Sequence, residues 1–253
     1  MMTLFTRLLK KTCLVTIETK HLDLLYRRRL SVSQRDESVI KSILENTELT
    51  INHMTPEIKL HLITPRCPMW KSKGDNLPFS DPFWAFYWPG GQVLSRFILD
   101  NSELFVNRTV LDVGSGCGAS AIACRLVGAK RVVANDTDPV ALIAIGLNAT
   151  RNKVALEMDN TNLIGELNPD WSTVLLGDMF YDENFATIFS KWLPLLVERF
   201  GTDIFIGDPG RYPLKNHPVQ SFLVKQAEYE LPLNTRVENN GMTHGFVWKY
   251  VIK

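Results

Sequence analysis

Leu111-Asp112-Val113-Gly114-Ser115-Gly116-Cys117-Gly118 is the stretch from which the fold is read. A short β-branched run, Val110 to Val113, gives way to alternating glycines, and helical spacing begins at Gly118 and lasts to Leu126. Glycines at a strand-to-helix junction let the backbone turn sharply and approach a ligand without Cβ interference. Downstream the same alternation repeats. Strands are expected at Arg131 to Asn135, Val154 to Met158 (weak), Trp171 to Gly177 and Asp203 to Ile206, with helices at Pro139 to Asn152 and Asn184 to Phe200. Strands separated by helical stretches are the signature of parallel strands joined by crossovers. After the turn Gly207-Asp208-Pro209-Gly210-Arg211, a helix is expected near Val219 to Gln226. Two closing strands, Tyr229 to Val237 and Phe246 to Ile252, then follow, joined at Asn239-Asn240-Gly241. The expected architecture is α/β: a doubly wound, mostly parallel sheet ending in an antiparallel hairpin.

The composition fits that reading. The chain has 253 residues, 45% hydrophobic and 22% charged, with 28 basic against 27 acidic side chains. This is an ordinary globular balance, which excludes a disordered chain and a polybasic nucleic-acid binder. No stretch approaches the roughly 18 uninterrupted apolar residues of a membrane span. Cys13, Cys67, Cys117 and Cys124 form no C-x-x-C pair, so neither a zinc site nor a disulfide framework is expected, and a reducing compartment is.

Charge is concentrated at the amino end. Residues 1 to 31 carry seven basic and two acidic side chains, and Met1 to Thr16 holds no acid at all. A basic extension over residues 1–32 fits either an organellar transit peptide or a solvated terminus. The main folded domain would be residues 33–253, with a helical and strand lead-in over 33–100. In that lead-in, Arg35 to Asn46 has helical spacing, and Glu57 to Thr64 alternates like a half-buried strand with Lys59 and His61 outward. Pro65 to Pro78 is rich in breakers. Asp81 to Gly91, DPFWAFYWPGG, packs five aromatic residues into a run that closes on a Pro-Gly-Gly turn, before a helix from Gln92 to Asp100.

The glycine bend has two acids in range. Asp136 ends the second strand, where a carboxylate accepts from ribose hydroxyls. Asp112 lies just ahead of Gly114, where it would repel a pyrophosphate and favour a cationic ligand. Gly114, Gly116 and Ala119 also satisfy the dinucleotide spacing, so NAD remains a rival ligand and an NAD(P)-dependent oxidoreductase a rival function. S-adenosylmethionine offers an amino group, a sulfonium and a ribose without phosphate, with Asp159 or Asn160 for its adenine amine. Asp138 is the better helix cap before Pro139, and Asp182 caps the helix after it.

The fourth strand runs into Asp178-Met179-Phe180-Tyr181 at the carboxyl end, where open α/β sheets bind substrates. Tyr181 can face a lysine side chain, and Asp178 can accept from its amine. A neutral amine is a minor species near pH 7, given a lysine pKa of about 10.4. Asp178 is therefore assigned first to capture and aiming.

These residues carry a resemblance. The glycine motif Asp112 to Gly118 and the acid-x-x-aromatic motif Asp178 to Tyr181 are similar to those of the seven-strand S-adenosylmethionine-dependent lysine methyltransferases. Leu62 to Cys67, Asp81 to Gly91, Ala134 to Asp136, Gly177 to Asp182 and Gly207 to Arg211 resemble the branch acting on the beta subunit of electron transfer flavoprotein. The likeness spans about residues 35 to 253. It implies a Rossmann-like class I methyltransferase sheet of seven strands, S-adenosyl-L-methionine as cofactor, and no metal. Its implied site holds Asp178 and Tyr181 as catalytic residues, with Trp88, Asp112, Gly114, Gly116, Asp136 and Asn160 around the cofactor. The implied partner is the flavoprotein beta subunit, with electron transfer from its dehydrogenases dampened. The implied location is the mitochondrial matrix, against a cytoplasmic alternative. A non-catalytic flavoprotein-binding protein of the same fold is the remaining alternative.

Overall fold

The computed structural model describes residues 34–71, 78–79 and 81–252, so the basic extension and its candidate transit segment lie outside the described residues. Helix α1 (Gln34–Asn46) leads into a small antiparallel pair, β1 (Glu48–Thr50) with β2 (Leu60–Leu62). The expected outward alternation fails at His61, which is buried, with Arg151 and Thr47 on its two ring nitrogens. Cover from α4 (Pro139–Arg151), whose Asn148 accepts from the His61 backbone at 2.8 Å, closes that face.

Helix α2 (Pro89–Asp100) begins three residues earlier than the spacing predicts. Pro89-Gly90-Gly91 is its first turn and not a turn ahead of it. Proline suits that place because its missing N–H would have no helical partner there and its φ is already helical.

The main sheet has seven strands: β3 (Thr109–Val113), β4 (Arg131–Asn135), β5 (Glu157–Asp159), β6 (Thr173–Gly177), β7 (Asp203–Asp208), β8 (Leu223–Glu230) and β9 (His244–Tyr250). Their spatial order is β5-β4-β3-β6-β7-β9-β8. The first five are parallel, while β9 pairs antiparallel with both β7 and β8. The order reverses at β3, so the crevice outside the carboxyl ends of β3, β4 and β6 is the topological switch point at which such sheets take ligands. Crossover helices are α3 (Ala119–Leu126), α4, and α5 (Glu183–Phe200).

The third strand is displaced toward the carboxyl side and starts at Glu157 rather than Val154. The end of the chain departs further from expectation. Residues 219–226 form a 3-10 turn (Pro218–Phe222) followed by strand β8, and Leu233–Glu238 is a short helix where a strand was expected. Strand β8 is an edge with mostly exposed side chains and a bulge at Lys225/Ala227, so little burial alternation marks it in the sequence. Pro232 directly precedes the helix and ends the extended run.

Alternate residues of each strand feed opposite layers. Leu111, Val113, Val174, Leu176, Ile204 and Ile206 pack with Phe189, Leu193 and Leu196 of α5. Val110, Leu175, Phe205 and Val247 pack with Leu94 and Phe97 of α2 and Ile122 of α3. Each fully buried side chain of this size contributes roughly 1.5–3 kcal/mol. Asp138 caps α4, accepting from Val140 N at 2.8 Å, and Asp182 caps α5, accepting from Asn184 N at 2.7 Å, as the sequence predicts.

Helix α2 meets the sheet through bare backbone. A Cβ on Gly207 would lie 2.1 Å from the Gly90 carbonyl oxygen, and one on Gly90 would lie 2.3 Å from the Gly207 oxygen. Gly207→Ala is therefore expected to destabilise the protein by about 1–3 kcal/mol in urea denaturation. In Gly91→Ala the new methyl meets only the Tyr87 ring, at 3.6 Å, and stability should be unchanged or slightly raised.

Candidate active site

The carboxyl ends of β3, β4, β6 and β7 bring two groups of side chains together. On the first side the backbone takes positive φ at Gly114 (62°), Gly116 (54°) and Gly118 (80°), a conformation that glycine adopts without steric cost. Helix α3 starts at the left-handed Gly118, which has no side chain to cap it. Gly114 has no room for a Cβ, which would lie 2.3 Å from the Met179 sulfur. At Gly116 the nearest atom to a Cβ is 3.9 Å away, the Trp84 Cα, so the backbone there faces an open cradle.

Asp112 lies under this bend. Its Oδ2 accepts from the Ser115 hydroxyl (2.5 Å) and from Ala121 N in α3 (3.1 Å), tying strand, loop and helix together. It is 2% exposed, and burial pushes its carboxyl up to about 7 against the pull of those two hydrogen bonds. Asp136, half-buried at the tip of β4, accepts from Gly116 N (2.9 Å) and Asp138 N (3.0 Å), and burial raises its pKa as well. Asn160 sits exposed just past β5. Asp159 turns its carboxylate onto Thr161, and Asn135 pins this loop by donating to the Asp159 and Thr161 carbonyls at 2.8 Å.

The second side is built on Asp178. This residue has φ 62° and is almost wholly buried. Its N–H donates to Gly207 O (2.8 Å), its Oδ2 accepts from Gly90 N in the first turn of α2 (2.6 Å), and its Oδ1 pairs with the Arg211 guanidinium. A carboxylate at a helix amino end is favoured by the helix dipole as well as by the hydrogen bond. Both oxygens are thus engaged by the protein itself, which the sequence does not disclose. Tyr181 is 55% exposed at the mouth, with its ring 5.1 Å from Phe185. Burial raises its hydroxyl pKa, with smaller contributions from Asp182 and Asp136.

Trp88 borders this second side. Its Nε1 donates to Phe83 O (3.0 Å), and the Arg211 guanidinium carbon is 5.9 Å from its ring centre. The member of the aromatic run nearest the glycine bend is Trp84, through its backbone. The two sides form one site because Met179, next to Asp178, packs on Gly114.

Sequence reasoning gives no individual site role to Gly90, Arg211 or Asp208; the turn from Gly207 to Arg211 reads there as either a rigid corner or a part of the substrate side. The turn after β7 is a tight corner in which Asp208 Oδ1 accepts from Gly210 N (2.6 Å) and Arg211 N (2.7 Å). It also delivers Arg211 to Asp178. The signal that could have found it is the repeated Gly-Asp dipeptide, Gly177-Asp178 and Gly207-Asp208, at the ends of two neighbouring strands.

The arrangement suits a ligand with ribose hydroxyls for Asp136, positive charge near Asp112, and a carboxylate for the open start of α3. Residues 93–196 match the ribosomal protein L11 methyltransferase (PrmA) family. A solved L11 methylase from Lactobacillus delbrueckii subsp. bulgaricus superposes with a TM-score of 0.47 and 16% identity, covering 82% of this chain and all of that one. The electron transfer flavoprotein beta subunit lysine methyltransferase of Danio rerio is 44% identical over 229 residues, 90% of this chain and 89% of that protein. Its Homo sapiens counterpart is 47% identical over 214 residues, 83% and 82% of the two chains. At this identity and coverage the chain belongs to the electron transfer flavoprotein beta subunit lysine methyltransferase family.

Proposed function

We propose that this protein transfers methyl groups from S-adenosyl-L-methionine to lysine side chains of the electron transfer flavoprotein beta subunit. The observation that carries the reading is that Met179 packs on Gly114, so that the acid-lined glycine cradle adjoins Asp178, which Arg211 links to the Trp88 ring. The cofactor, when bound, supplies an electrophilic methyl on a sulfonium. Gly114 and Gly116 shape its cradle, Asp136 takes the ribose, and Asn160 stands at the rim for the adenine. A dinucleotide fits less well, because its pyrophosphate would come close to Asp112 and Asp136.

The lysine must arrive as a free amine aligned with the methyl carbon, so positioning and exclusion of water do most of the work. Tyr181 packs the aliphatic stem, and Asp178 aims the nitrogen. Asp178 is held rigidly for this by Gly90 and the sheet backbone. Trp88 closes the pocket and presents a face to positive charge.

The acid-free, basic stretch Met1 to Thr16 and the flavoprotein substrate of the relatives support a mitochondrial matrix location. Amino-terminal sequencing of the protein recovered from fractionated cells tests this: a mature end well inside residues 1–32, in the mitochondrial fraction, is expected, and an intact Met1 in the cytosol contradicts it.

Incubation with S-adenosyl-L-methionine and purified flavoprotein should add methyl increments to beta-subunit lysines, read by peptide mass spectrometry. No increment overturns the proposal. Asp178→Asn keeps an acceptor for Gly90 N but removes the charge, and should lower turnover by about 100-fold or more, within the range that positioned groups supply. Its thermal shift with S-adenosylhomocysteine should stay near that of the wild type, and a fully active variant would remove Asp178 from the reaction. Asp112 gives the donor site a pH dependence. It ionises through about pH 7, and only the ionised form attracts a sulfonium. Affinity for S-adenosyl-L-methionine should therefore rise from pH 6 to pH 8 by calorimetry, and the rise should be smaller in Asp112→Asn. An equal rise in both proteins contradicts this role.

A further inference from the structure

The Gly-Asp ends of β6 and β7 lie side by side, with Gly177 and Gly207 directly paired. Two carboxylates therefore leave neighbouring strand tips, and Asp178 adds to the cost of ionising Asp208. Their surroundings differ. Asp178 has both oxygens engaged, whereas Asp208, with no exposed surface, uses only Oδ1 on the two N–H groups of its corner. Its Oδ2 is buried and has no hydrogen-bond partner among the described residues. Buried polar atoms are nearly always satisfied, so an orphan carboxylate oxygen within the active site calls for a role in a second state of the site.

Arg211 connects the two acids. Its backbone N–H is held by Asp208, and its guanidinium by Asp178. The same guanidinium is 5.9 Å from the Trp88 ring centre and keeps some exposure to solvent. A carboxylate on one side and an aromatic face on the other is the setting that an alkylammonium group also seeks. Arg211 thus sits where a lysine side chain would bind.

We infer that Arg211 is a resident cation which a substrate lysine displaces from Asp178 and Trp88, and that Asp208 is the positioning residue whose free oxygen receives it. The inference rests on the methyltransferase reading above. Asp208 and Arg211 belong to one corner, closed by two hydrogen bonds and turned at Gly210 (φ 91°), so the exchange would ask the Arg211 side chain to swing toward Oδ2 while the corner's backbone stays in place. Arg211 already favours the ionised form of Asp208, while burial and Asp178 push that carboxyl up to about 7. The exchange leaves each carboxylate with its own cation. Without it, lysine binding would strand a guanidinium beside a second positive charge.

The test is steady-state methylation of purified flavoprotein by wild type, Asp208→Asn, Arg211→Met and the double variant. Asparagine preserves the corner through its amide oxygen but sets an NH2 group where the guanidinium should land. Asp208→Asn should raise KM for the flavoprotein about tenfold, with the loss falling on KM rather than on kcat. Arg211→Met should lower KM severalfold, because the competing cation is gone. In that background Asp208→Asn should change KM less than twofold. A wild-type KM in Asp208→Asn, the same rise in both backgrounds, or an Arg211→Met KM at or above wild type overturns the inference. If Asp208→Asn fails to fold, as read by its melting curve, the Arg211→Met result decides alone. A wild-type protein that transfers no methyl refutes the proposed function itself, whereas an active wild type with any of the contrary KM results refutes only the exchange.

Discussion

The site depends on one contact, the bond between the Asp178 carboxylate and the first turn of α2 at Gly90. It forms because Gly90, Gly177 and Gly207 bring helix and sheet to a distance at which side chains would collide. That closeness lets Asp178 satisfy a helix N–H, take its own N–H to Gly207, and still present Oδ1 to a cation. Removing one partner of a buried ion pair costs on the order of 3–5 kcal/mol. The arrangement therefore couples the stability of the sheet's carboxyl edge to the geometry of the pocket.

Around that contact the acids divide by environment. Asp112 is hidden beneath the glycine bend and titrates near neutrality, whereas Asp136 stands at the surface of the cradle, with hydrogen bonds to the bend and to the start of α4. Under the proposed function the first would set the charge of the donor side, and the second would offer its oxygens to a ligand. Across Met179, Trp88 and Tyr181 frame the place where a lysine would enter.

In the parallel half, β3, β4, β6 and β7 are legible because they are short, apolar and buried, with Asp138 and Asp182 marking helix starts, whereas the three partly exposed residues of β5 carry little such signal. The carboxyl-terminal part was not. Strand β8 is an exposed edge whose Lys, Gln and Glu residues carry no burial rhythm, and Leu233–Glu238 holds apolar residues that face solvent. The start of α2 is hard to read from sequence because Pro-Gly-Gly ordinarily breaks a chain, and the proximity of Gly207 explains why glycines open this helix. In the site, Asp178, Tyr181, Asp112 and Asp136 stood out by their positions at strand ends. Arg211 and Asp208 did not, since their partners are distant in sequence or are backbone groups within a corner.

The most direct measurement is a crystal structure of this protein with S-adenosylhomocysteine. The account predicts that the ribose hydroxyls meet Asp136, that the ligand follows the bend from Gly114 to Gly118, and that its sulfur faces the Asp178 and Trp88 side. A ribose away from Asp136, or a sulfur turned from Asp178, would contradict it.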